Sequence, residues 1–218
     1  MGYDWSNLQV FAGGDNARSV RADIIECLSK AFPCRVTNEE EATRSIVVGP
    51  VGRWIFVGDT AGSTERADPI AFDDLAIELS KVSPTMSVKM SDSAVVHFLL
   101  HTHGHFVDKF GNGKFPCYRF KSVAEAAPFR GDIDKWAPYL ITPELAQDLR
   151  AVWSQYGDAG SIVEDTGRLF GVDPHLIDVG YSIFDEADEI KYTDWLAEEP
   201  VELHMFDEYH LIVETQTK

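Results

Sequence analysis

Cysteine is scarce in this chain. Cys27, Cys34 and Cys117 are the only three in 218 residues, and no two stand in a C-x-x-C spacing. Small secreted domains held together by disulfides use denser, even-numbered sets, so the expected setting is a reducing compartment, the cytoplasm. Long apolar runs are lacking too. The longest, near Ala94–Leu100, falls far short of the roughly 20 residues of a membrane-spanning helix. The first residues, Met1–Ser6, show no basic region followed by an apolar one, so no secretory leader is expected. Gly2 followed by Ser6 meets the loose myristoylation pattern, but two aromatics and an acid fill its variable positions. Positive charge is also short, with 19 Lys and Arg against 36 Asp and Glu and a net charge of −17. A field of that sign repels phosphate backbones and anionic lipid, which argues against nucleic-acid and membrane partners.

The acidic excess is uneven. Residues 1–110 carry 10 basic and 15 acidic side chains, and residues 111–218 carry 9 and 21. The last 50 residues hold 13 acids against Lys191 and Lys218, a net of −11. A surface of that kind keeps a protein soluble and steers a basic partner.

Hydrophobic spacing predicts an α+β fold, an antiparallel sheet with helices on one face and a C-terminal helical, acidic region. Leu8–Ala12 reads as a strand, and Val20, Ile24, Ile25, Leu28 and Phe32 line a helix over residues 17–31 that stops at Pro33. Cys34–Thr37, Ile46–Val48 and Trp54–Val57 are short strand runs, the last two joined by the Gly49–Gly52 turn. Asp68 caps a helix with Pro69 at its first position and Leu75, Leu79 and Val82 on one stripe. Met86–Met90, Ala94–His101 and Phe106–Phe110 follow as a meander. Beyond Lys121, Leu145, Leu149, Val152 and Trp153 form a helical stripe, Ser161 and Glu164 read as a capping box, and Asp173-Pro174 starts a further turn. Val201–Phe206 and Tyr209–Val213 read as returning strands. The seam falls at Gly111–Lys121, between a sheet portion (1–120) and a helical, acidic portion (121–218) packed on it as one domain.

Four of the seven histidines lie between His97 and His105, and His101, His103 and His105 alternate. Two histidines two apart on a strand stand about 6.5 Å apart on one face, close enough to share a metal. Against this, His103-Gly104 occupies the place of a two-residue hairpin turn. With Phe106–Phe110 folding back onto Phe98–Leu100, Asp108 is expected opposite Leu99. Asp185-Glu186-Ala187-Asp188 spells a helicase box, but no GxxxxGK[ST] loop precedes it, and Gly111–Phe115 lacks that spacing. No GxSxG, HExxH or GxGxxG occurs either. Cys117 carries no local mark of an activated thiolate. Trp54 and Trp153 fall on core stripes, and Trp195 stands among acids in Tyr192–Leu196.

Gly52–Val57, the helix of Leu75–Leu79, Ser91-Asp92-Ser93 and Phe98–Phe110 together give a strand, a helix, an S-D-S turn and a hairpin ending in a G-x-x-V-D-x-F pattern. Over residues 50–112 the chain resembles a loosely defined group of uncharacterised bacterial proteins, some of them immunity- or antitoxin-like. The resemblance implies protein–protein contact and carries over no catalytic residue. The leading expectation is therefore a non-catalytic cytoplasmic protein, possessing no cofactor, that meets a basic partner through Asp185, Glu186, Asp188, Glu189, Asp194, Trp195, Glu198 and Glu199. A metal-binding protein or metal enzyme using His101, His103 and His105 is the first alternative, and a small-ligand binding domain the second.

Overall fold

Trp5–Phe11 alternates side chains that are buried on opposite faces, and it becomes the middle of everything else. The computed structural model describes residues 5–32, 35–36, 42–63, 68–91, 94–112, 124, 127–155, 158–178 and 206–211. Among these, eight strands form one sheet: β1 (Trp5–Phe11), β2 (Arg35–Val36), β3 (Arg44–Val48), β4 (Trp54–Asp59), β5 (Thr85–Ser91), β6 (Val95–Thr102), β7 (His105–Gly111) and β8 (Asp207–Leu211). The order is β2-β8-β3-β4-β1-β5-β6-β7, and every pairing is antiparallel. The helices are α1 (Ala17–Ala31), α2 (Pro69–Leu79), α3 (Ile133–Trp136), α4 (Ala146–Ser154), α5 (Ala159–Phe170) and α6 (Pro174–Ile177). The α+β class expected from the spacing is what the chain adopts. No described helix is long and apolar enough to cross a membrane.

Both faces of the sheet are covered. Leu8 and Val10 on β1, with Ile46, Ile55 and Val57, bury against Ile24 and Leu28 of α1 and Phe72, Leu75 and Leu79 of α2. The alternate positions, Met86, Val88, Phe98 and Leu100, face the other way. There they meet Trp136 of α3, Leu149 and Trp153 of α4, and Ile162 and Phe170 of α5. α3, α4, α5 and α6 therefore form a second helical layer opposite α1 and α2. Its centre is aromatic, with Trp153 stacked on Phe110 at 4.3 Å between centroids and edge-on to Trp136 at 5.2 Å.

The β6–β7 hairpin turns at His103-Gly104 as expected. Both residues have positive φ, 53° and 77°, the pair of left-handed conformations of a type I′ turn, which glycine adopts at no steric cost. Thr102 pairs with His105 and His101 with Phe106, but a bulge between Leu100 and His101 then shifts the register. Asp108 consequently opposes Leu100 and not Leu99. The cause is on the far side. In the shifted register the Asp108 carboxylate accepts hydrogen bonds from Trp136 Nε1 (2.7 Å) and the Asp132 amide (2.6 Å). Arg130 bridges Phe110, and Phe129 lies against His97. The segment leading into α3 thus crosses the outer edge of β7, which protects an edge strand from stray pairing.

Two local starts differ from the expected ones. The cap of α5 is Asp158, whose carboxylate accepts from the Ser161 amide and hydroxyl, so Ser161 is the capped residue and not the cap. Gly58 and Asp59 finish β4 instead of opening a loop, and Asp59 caps the 3-10 turn Thr60–Gly62. Asp59 is wholly buried and grips Arg44 with two hydrogen bonds, while Arg44 also donates to the Ala71 carbonyl of α2.

Candidate functional site

Three places deserve comparison, the histidine hairpin, the seam between α1 and α2, and the end of the second helical layer. At the hairpin, the turn raises His103 and His105 into solvent and leaves His101 beneath the surface, 3% exposed. His101 stands opposite Thr85 of β5, with its ring edge-on to Phe106 at 5.7 Å. Burial pushes its pKa below the usual imidazole range, against the pull of Asp73 and with the push of Lys89. One buried and two exposed rings do not share an ion, and among the described residues no group of three His, Cys, Asp or Glu side chains is placed to hold one. The expectation of a metal centre at His101, His103 and His105 finds no site here.

Between α1 and α2 an open groove of about 660 Å³ is lined by Cys27, Ala31 and Val82 and rimmed by Asp23, Lys30 and Lys81. Its lysines are already paired, Lys30 with Glu26 and Lys81 with Glu78. Burial and the nearby Glu78 push the Cys27 thiol upward, so it stays protonated and a poor nucleophile. The groove carries no arrangement for bond-making.

The second helical layer is fastened to the sheet by polar side chains that the sequence reading passed over. Asn7 and Gln9 of β1 are fully buried. Asn7 donates to the Ile177 carbonyl at 3.0 Å, and Gln9 donates to the Leu176 carbonyl at 2.9 Å and to Asn7. These are carbonyls at the end of α6, which no helical amide can satisfy. Arg53 and Trp54 do the same for the end of α5, both donating to the Phe170 carbonyl, while Arg53 also reaches Leu140. Polar residues alternating with Leu8 and Val10 were the available signal, since on a strand buried on both sides a polar row needs partners.

Just past this clamp stands Asp178. Desolvation and the charge of Glu164 push its carboxyl up to about 6, although the residue keeps an exposed side. Of the 13 acids over residues 169–218, Asp173 and Asp178 precede the dense run that starts at Asp185. Asp185, Glu186, Asp188, Glu189, Asp194, Trp195, Glu198 and Glu199 lie outside the described residues, as do Cys34 and Cys117. The chain re-enters the described fold at Phe206, which packs edge-on to Phe56 at 6.2 Å, and continues as β8. Comparison with family models, with curated proteins and with solved structures gave no match.

Proposed function

We propose that this protein works by contact and not by catalysis, as an immunity-like inhibitor that offers the acidic surface of its C-terminal quarter to a basic protein. The observation that carries the reading is the concentration of 13 acids against two lysines over residues 169–218. Such a field raises the encounter rate with a cationic partner and repels wrong ones. Two anchors support it. The residues before the acidic stretch are clamped to β1 through Asn7 and Gln9, and those after it pair on both sides, with β2 and β3. A binding segment held at both ends by rigid elements loses less freedom on association than a free tail. Tyr192 and Trp195 supply the aromatic area that dominates many interfaces.

The test is neutralisation. Deletion through Glu208 would remove part of β8, so the better variant is the full chain carrying D185N, E186Q, D188N and E189Q. Wild-type protein, used as bait at low salt, is expected to retain a basic protein that elutes as salt is raised. The neutralised chain, with an unchanged melting temperature, is expected to lose it. Equal retention by both chains, or retention indifferent to salt, contradicts the proposal.

A further inference from the structure

The hairpin holds a device that is independent of the acidic surface. His101 sits where α2 and the β6–β7 turn close over the sheet. The turn is tied to the end of α2, the Gly104 amide donating to Ser80 Oγ at 3.0 Å and the Ser80 hydroxyl donating back to the Ile77 carbonyl. The stem of Lys81 lies against Gly104, where an added Cβ would meet it at 3.1 Å. His101 Nδ1 is shut away from solvent and has no hydrogen-bond partner among the described residues.

We propose that His101 makes this closure acid-sensitive, the neutral ring allowing α2 and the hairpin turn to seat over it and the protonated ring releasing them. A neutral imidazole can leave one nitrogen as an unused acceptor at modest cost, whereas an imidazolium carries N–H donors on both nitrogens. Protonation therefore aims a charged donor from Nδ1 into a space where no acceptor among the described residues meets it. The surrounding charges do not compensate. The charge of Asp73 on α2 acts on the ring, but Lys89 of β5 pairs with it at 2.6 Å, so the two present little net charge. Phe106 of β7 and Val10 of β1, in the row of Thr85, are apolar. Burial thus dominates, in keeping with the depressed pKa. The sign follows. A histidine whose folded pKa lies below its unfolded value of about 6.5 weakens the closed state as pH falls through that value, by up to about tenfold per pH unit for one proton.

The experiment is amide hydrogen exchange of the full chain between pH 7.5 and 5.5, corrected for the intrinsic exchange rate at each pH. The opening constant at the Gly104 amide is expected to rise toward tenfold per pH unit below about 6.5. The Val172 amide, bonded to Gly167 in the opposite layer, is expected to show no such rise. H101Q is expected to flatten the Gly104 profile. A flat wild-type profile, or the same slope in H101Q, overturns the proposal. Should H101Q not fold, the His101 ring proton of wild type is titrated by NMR. A midpoint below 6.5 supports the latch, and one at or above 6.5 overturns it.

Discussion

The two helical layers cover one sheet by different means. α1 and α2 are 15 and 11 residues long, and they hold on chiefly through aliphatic side chains, with Asp68 capping α2. In the opposite layer α3 and α6 have four residues each, and the 3-10 turns Ala137–Tyr139 and Pro143–Leu145 interrupt the chain. A layer broken that often exposes many helix-end carbonyls, and burying it requires donors from below. Asn7, Gln9, Arg53 and Trp54 are those donors. The ends of α5 and α6 take four side-chain donors from the sheet side, whereas α2 takes one, from Arg44 to the Ala71 carbonyl. The layer that takes more is the one from which the acidic stretch departs.

The strongest way to break the comparison is to remove a central group from each layer. Trp136→Ala, at a fully buried site, should cost about 3–5 kcal/mol. Asp59→Asn, which strands the buried Arg44 guanidinium, should cost about as much, 3–5 kcal/mol. Urea unfolding checks both. Asn7→Leu should cost about 1–3 kcal/mol, because the Ile177 carbonyl is left buried and unpaired. Hydrogen exchange should then quicken in residues 159–177 ahead of α1. Equal quickening in both layers would show that the clamp is not specific to one of them.

Cap removal sharpens the contrast on a smaller scale. Asp68→Ala and Asp158→Ala should each cost about 1 kcal/mol in thermal unfolding. The smallest effect is a pH dependence at Asp178. Its carboxyl, raised to about 6 from 3.8, binds a proton more tightly in the folded state. It therefore opposes folding above about pH 6, and that opposition fades as pH falls. Asp178→Asn should melt higher than wild type at pH 7, with the difference shrinking toward pH 4. This is opposite in sign to the effect of His101.

Much of the architecture is legible because its signals are local. The stripe from Val20 to Leu28, the Asp68-Pro69 start and the His103-Gly104 turn each declare themselves within a few residues. Cover on both faces was not read, since helices were expected on one face, although Trp54–Val57 is continuously apolar, the pattern of a strand buried on both sides. The bulge in β7 was not legible, because it depends on Asp132 and Trp136, more than twenty residues away, capturing Asp108. The role of Arg53 is equally non-local, since its acceptors lie at Leu140 and Phe170.

The most direct test of the central claim is a hydrogen-exchange footprint of the full chain with and without a captured basic protein. Protection confined to residues 178–205, with α1 and α2 unchanged, is the predicted result. Protection centred on the groove between α1 and α2, with residues 178–205 unaffected, would contradict it.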